Sequence, residues 1–151
     1  MIHIGQMSRW VQYVARHFAI VDMINYADEV GWSVKDGLRH VSLTGSPVLS
    51  AIGAEWFAPE VATLGLERVD ASISRHRRTR DVASVVLGIT DEEDNESWSD
   101  VTDQWELLYD RQVLVIPAGS VHGIRLDPSH RPFYLLTATT PSGDVDDTQF
   151  V

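Results

Sequence analysis

From residue 38 onward the sequence is a series of short β-type runs separated by turn residues, and this pattern most limits the folds open to the chain. The runs are rich in β-branched and apolar residues and end at glycine, proline or aspartate. We predict strands at 39–44, 48–52, 64–74, 83–90, 105–109, 113–116, 123–126 and 133–139. Many short strands at this spacing predict an all-β sandwich or barrel.

The segment 113–123, VLVIPAGSVHG, presents one histidine from rigid backbone. Pro117 ends strand pairing because it has no N–H for the ladder. Gly119 permits the positive φ of a tight turn, so His122 begins the next strand in a defined direction. The alternative is an ordinary β-turn followed by a half-buried histidine.

Composition excludes several classes of function. The chain has 151 residues, no cysteine and a net charge of −10. One domain is expected at this length, and without thiols only histidines and carboxylates remain as metal ligands. The acidic balance argues against nucleic acid, whose phosphates need a basic surface. No segment is long and apolar enough to span a bilayer, and residues 10–24 make a poor signal peptide, so we predict a cytoplasmic protein.

We divide the chain into an N-terminal helical or extended segment (1–37), a barrel (38–140) and an acidic flexible tail (141–151). Apolar residues recur at helical spacing near the N-terminus, which predicts a short amphipathic helix: Trp10, Val14, Phe18, Val21 and Ile24. This helix either closes one end of the core or packs on a partner subunit in a homodimer. Met1, Met7 and Met23 all stay open as the natural start.

The run of residues before His76 alternates in polarity. Counting back by twos places four polar residues on its face: Ser74, Ser72, Asp70 and Arg68. Such a face is either exposed to water or lines an internal pocket. The acidic run 91–100 suggests calcium, but it lacks the central glycine and closing glutamate of an EF-hand loop. We interpret it as a solvated loop between strands.

Two motifs resemble those of small single-domain cupins. Pro117, Gly119 and His122 fall in register with the second cupin motif, G-x5-P-x-G-x2-H-x3-N. His76, Asp81 and Gly88 match the second histidine, the acid and the last glycine of the first, G-x5-H-x-H-x3-4-E-x6-G. The resemblance implies a double-stranded β-helix (jelly-roll) barrel with a short N-terminal helical segment.

The departures from these motifs concern the metal centre. In the first motif, Arg68 replaces the first glycine, Ser74 replaces the first histidine and Asp81 replaces the glutamate. In the second motif, Arg111 replaces the glycine and Leu126 replaces the asparagine. The resemblance then implies a reduced metal set of His76, Asp81 and His122. Two histidines and one carboxylate suit non-haem iron, and three protein ligands with a water suit zinc. Iron, manganese, nickel, zinc or no metal at all stay open.

Three functions are consistent with this sequence. The preferred one is a metal-dependent enzyme acting on a small organic molecule, of dioxygenase, isomerase or cyclase type, as the resemblance implies. In the second, a metal-free epimerase or isomerase uses His122 or His76 as base. The third is a non-catalytic binding domain. Candidate substrate-binding residues are Arg68, Asp70, Ser72, Ser74, Arg78 and Glu106.

Overall fold

The computed structural model describes residues 3–35, 38–58, 60–90, 92–140 and 149–151. The predicted breaker Pro59, the first residue of the acidic run (Asp91) and residues 141–148 of the predicted tail lie outside this range. The helices are α1 (Ile4–His17), α2 (Ile20–Val30) and α3 (Pro47–Ala51). The strands are β1 (Ser33–Lys35), β2 (Leu38–Ser42), β3 (Thr63–Val69), β4 (Ile73–Arg77), β5 (Val82–Leu87), β6 (Glu96–Ser99), β7 (Gln104–Leu107), β8 (Val113–Ile116), β9 (His122–Arg125), β10 (Phe133–Thr139) and β11 (Gln149–Phe150).

The strands form two antiparallel sheets. The first has six strands in the order β1-β2-β3-β10-β5-β8, and the second has five in the order β11-β4-β9-β6-β7. Because β10 pairs with β3 on one side and β5 on the other, distant parts of the chain meet in the first sheet. Gln149 and Phe150, predicted within the tail, pair with Arg77 and His76 at the edge of the second sheet.

The six-stranded sheet packs one face against the helices. Met7, Val11 and Val14 of α1 are fully buried there, together with Met23 and Ala27 of α2. They contact alternate residues of the sheet: Leu64, Leu66, Ala83, Val85, Leu87, Leu136 and Ala138. The alternation of side chains along each strand leaves the other face of the sheet to line the interior of the barrel. The N-terminal segment therefore closes the core of its own chain, one of its two predicted roles.

The predicted single N-terminal helix is two helices. The chain leaves helical geometry at Phe18 and Ala19, whose ψ angles are 126° and 138°. The Arg111 guanidinium donates to the carbonyl oxygen of Ala15 at 2.8 Å, which satisfies a C-terminal carbonyl of α1 and ties the helix to the barrel. None of the helices in the described residues is long and apolar enough to cross a membrane.

The strand predicted at 48–52 is wrong, because α3 occupies that segment. Pro47 stands at the first helical position after Ser46, where its fixed φ favours a helix and its missing N–H costs nothing. Val48 and Leu49 are both buried. A short apolar run does not by itself distinguish a buried strand from a buried helical turn.

The acidic run is also not the solvated loop that the sequence predicted. Its second half is β6, which lies between β9 and β7. The Glu93 carboxylate is buried and accepts a hydrogen bond from the Asn95 amide at 2.9 Å. Glu93 also accepts from the backbone N–H and Nε of Arg131, at 3.2 and 3.3 Å. These acidic and amide groups serve to fix the loop to the turn before β10.

Candidate functional site

A cavity with two adjoining lobes lies on the inward face of the six-stranded sheet, and one of the lobes also reaches the second sheet. The histidine lobe, about 230 Å³, is lined by His76, His122, Ser84, Ser97, Ser99 and Glu106, among others. The arginine lobe, also about 230 Å³, is lined by Arg78, Arg80, His40, Ser42, Thr63 and Thr139, among others. Leu38, Glu67, Arg78 and Thr137 line both lobes. The combined space has the size and mixed polarity of a site for a small organic molecule.

His76 and His122 form a pair in the histidine lobe. They are direct partners in the pairing of β4 with β9, and their ring centroids lie 4.1 Å apart with the planes tilted by 58°. His76 Nδ1 donates to the carbonyl oxygen of Ser74 at 2.8 Å, and His122 Nδ1 faces that of Ser120 at 3.4 Å. A carbonyl oxygen only accepts, so Nδ1 carries the proton in both rings. In a neutral ring, Nε2 then holds the lone pair.

A β-bulge explains how His76 reaches the interior. Between the pairs Ile73–Ile124 and His76–His122, β4 has two residues and β9 has one. The extra residue breaks the alternation, so Ile73 and His76 both line the cavity. Ser74 does not line either lobe. Counting by twos, which placed Ser74 on the face of His76, fails at this bulge.

The turn that carries His122 is held from several sides. Gly119 has φ +84°, as its sequence position predicted, and its N–H donates to the carbonyl oxygen of Arg78 at 2.7 Å. Ala118 N–H donates to the Asp81 carboxylate at 2.9 Å. Val121 N–H and the Ser120 hydroxyl donate to the carboxylate of Asp100, and these bonds lower its pKa. The backbone before His122 is therefore fixed by two carboxylates and a carbonyl.

The surroundings of His122 keep its ring neutral. Burial disfavours the charged imidazolium, and the neighbouring His76 disfavours it further, so that the pKa of His122 falls to about 4. At neutral pH the Nε2 lone pair is available either to accept a proton or to bind a metal.

The metal set predicted from the sequence does not assemble in this structure. Two histidines stand together, but the Asp81 carboxylate caps the amide of Ala118 in the turn. No group of three His, Cys, Asp or Glu side chains in the described ranges is arranged to hold a metal ion. The donor groups present therefore do not fit the His76–Asp81–His122 centre.

The predicted substrate-binding residues separate into two groups. Arg78 and Glu106 line the cavity. Arg68 lies 3.7 Å from the Asp70 carboxylate, and the Ser72 hydroxyl accepts from Leu126 N–H at 3.0 Å. Neither lobe is lined by Arg68, Asp70, Ser72 or Ser74. β3 ends at Val69, so 64–74 is not one strand and the polar face that links these residues in the sequence is interrupted.

Sequence reasoning missed most of the arginine lobe. His40 is not among the candidates that the sequence indicates, yet it lies opposite Glu67 in the pairing of β2 with β3, and both residues line the lobe. A Cβ at Gly65 would lie 2.8 Å from His40 Nε2, so a glycine at this position leaves room for the imidazole ring. The alternating polar positions His40 and Ser42 in the predicted strand 39–44 were the available signal.

No family model matches the chain, and no curated protein matches it. Among solved structures, the DMSP lyase DddQ from Ruegeria pomeroyi DSS-3 superimposes with a TM-score of 0.61 at 19% identity, over 85% of this chain and 64% of that one. The present chain thus spans less than two thirds of DddQ. The polyketide cyclase RemF from Streptomyces resistomycificus gives 0.53 at 17% identity, over 76% and 70%.

The cupin domain of Cnp3 from Schizosaccharomyces pombe matches with a TM-score of 0.51 at 11% identity, over 76% of this chain and 71% of that domain. The chain has the cupin fold. This confirms the fold that the two motifs implied. The cupin register also accounts for Arg111, which replaces a motif glycine and keeps a glycine-like φ of +69°. Gly88, the last glycine of the first motif, has φ +86°.

Proposed function

We propose that this cupin is an enzyme that binds a small organic molecule in its cavity and moves a proton on it, with His122 as the base. The observation that carries the proposal is the paired His76 and His122 imidazoles, 4.1 Å apart in a cavity between the sheets. The fold alone does not choose this chemistry, since cupin-like barrels host many functions.

The proposed reaction is an isomerisation beside a carbonyl group. His122 Nε2 takes a proton from the carbon next to the carbonyl; the electron pair of that C–H bond forms a C=C bond, and the π pair of the carbonyl moves to its oxygen. The enolate then takes the proton back from His122, at the same carbon in a simple carbonyl compound or at the γ carbon when a β,γ-double bond extends the enolate. The step needs no oxidant or reductant. The neutral imidazole, held by backbone at Nδ1, has its Nε2 lone pair available to accept the proton.

His76 acts on His122 as a neighbour in this proposal. Burial is the main reason that the pKa of His122 is low, and the neighbouring His76 lowers it further, so His122 is unprotonated between turnovers. The Ser97 and Ser99 residues of β6 and Glu106 of β7 also line the histidine lobe and are available to orient a ligand. The wall opposite them is largely apolar, with Leu114, Ile116 and Leu135.

A divalent metal (iron, manganese, nickel or zinc) is the second candidate for the chemistry of this site. It is favoured by the two histidines, since ligating imidazoles commonly donate their other N–H to a backbone carbonyl. A third ligand would have to come from outside the predicted set, because Asp81 is committed to the turn.

The exchange of substrate protons with solvent tests the proposal. The protein, treated with EDTA and shown free of metal by elemental mass spectrometry, is incubated in D₂O with small aldehydes, ketones and 2-oxo acids. We expect deuterium to enter the carbon beside the carbonyl of at least one compound, detected by NMR. Exchange no faster than with heat-denatured protein would contradict the proposal. Exchange lost in EDTA and restored by one metal would support the second candidate instead.

A further inference from the structure

We propose that the arginine lobe is an anion-binding subsite, and that the molecule acted on by this cupin carries one carboxylate group. The inference rests on the proposed function, because the histidine lobe would hold the reacting part of the same molecule. Arg78 lines both lobes and therefore lies where the two parts of one ligand would meet.

An unpaired hydrogen-bond donor on the Arg78 side chain favours the binding of an anion. Its Nε atom is buried from solvent, yet no described residue accepts a hydrogen bond from it. A buried N–H donor without an acceptor costs free energy, and more so when it belongs to a charged group. The Arg78 backbone is meanwhile fixed through its carbonyl oxygen by Gly119 N–H at 2.7 Å. The guanidinium is thus held on a rigid backbone with an unused donor.

The charges and hydroxyls of the lobe favour a carboxylate over a phosphate. Two arginines, Arg78 and Arg80, share the lobe with one glutamate, Glu67, so one formal positive charge remains to be balanced. A carboxylate carries one negative charge and matches the planar fork of a guanidinium, whereas a phosphate monoester would bring a second charge towards Glu67. Glu106 lies in the other lobe and is exposed, so its charge is screened by water.

Hydroxyl groups complete the wall of the arginine lobe. Thr63 and Thr139 are hydrogen-bonded to each other across β3 and β10, and Thr137 is bonded to Ser84 at 2.8 Å. Each hydroxyl has two acceptor lone pairs and one donor, so these pairs can turn a donor towards a carboxylate oxygen. Gly65 lies on the same wall, and the His40 ring occupies the space beside it.

Binding of matched acids and amides tests the inference without knowledge of the natural substrate. Benzoate, pyruvate and succinate are titrated by ligand-observed NMR beside benzamide, pyruvamide and succinamide, with phenyl phosphate as a further probe. We expect at least one acid to bind the wild-type protein more tightly than its amide and more tightly than phenyl phosphate. In Arg78→Gln the Kd of that acid should rise about tenfold or more, and the Kd of its amide should stay unchanged. Arg78→Lys, which keeps the charge and loses the fork, should give an intermediate Kd.

Arg125→Gln is the matched control. Arg125 lies on the other face of β9, paired with Glu96 at 2.8 Å, so its loss should leave binding unchanged. If Arg78→Gln fails to fold, Arg80→Gln tests the same subsite. Equal Kd values for acid and amide, tighter binding of the phosphate, or an unchanged Kd in the folded variants would overturn the inference.

The two proposals fail in different ways. Carboxylate binding that depends on Arg78 but is not accompanied by proton exchange would remove the proposed reaction and keep the anion subsite. Proton exchange on uncharged carbonyl compounds, with no preference for acids, would keep the reaction and remove the subsite.

Discussion

Replacing His122 with glutamine is expected to lower the rate of proton exchange by about 10²- to 10⁴-fold. Glutamine keeps much of the size and hydrogen-bonding capacity of histidine but cannot accept a proton at neutral pH. The fold should persist, because the turn before His122 is anchored by backbone N–H groups that the substitution leaves in place. The rate is measured by deuterium incorporation in EDTA-treated protein.

His17→Gln is the control for this variant. His17 lies at the exposed end of α1, away from the cavity, and its replacement should leave the rate unchanged. Thermal unfolding of both variants separates loss of the base from loss of the fold. A His122→Gln protein that unfolds like the wild type and exchanges protons at the same rate would rule out His122 as the base.

Replacing Phe57 with alanine is expected to lower the free energy of unfolding by about 3–5 kcal/mol. Phe57 is 1% exposed and packs edge-on against Trp10 of α1 at a centroid distance of 5.5 Å. The substitution removes an aromatic ring where the N-terminal helix meets the six-stranded sheet, and the neighbouring side chains can close the space only in part. Urea unfolding at two protein concentrations provides the measurement.

Phe150→Ala is the matched control, because it removes the same ring from a position that is 59% exposed. Its effect should stay below about 1 kcal/mol. Equal losses for the two variants would mean that the Phe57 ring is not packed in the core beside α1. A strong dependence of the wild-type transition on protein concentration would support the homodimer, which stays a prediction.

The sequence predicted the elements in which local chemistry and tertiary packing agree. The strands 113–116 and 133–139 have their predicted bounds, because proline, glycine or aspartate limits each of these apolar runs. The turn on Gly119 and the exposure of His122 to a cavity follow from the same rules. Arg111 stands where the second cupin motif has a glycine, and its backbone keeps the positive φ of that turn position.

The features that the sequence did not predict depend on contacts between distant residues. The bulge in β4 is visible only in its pairing with β9. Because of it, Ile73 lies on the inner face where the sequence predicted Ser74. Asp81 stands in the motif position of a metal ligand, but its partner is the amide of Ala118, 37 residues further along the chain. β6 has the sequence ESWS, with Trp98 as its one apolar residue, and its place between β7 and β9 makes it a strand.

The most direct test of the account is the protonation of His122 as a function of pH, followed by NMR of its imidazole nitrogens. We expect a pKa of about 4 with the proton of the neutral ring on Nδ1, and a partial rise in His76→Gln, which removes the smaller of the two main causes of the low pKa. Burial would keep the pKa of this variant below 6.5. A wild-type pKa at or above 6.5, or a neutral ring protonated on Nε2, would contradict His122 as a neutral base held through Nδ1 in the cavity.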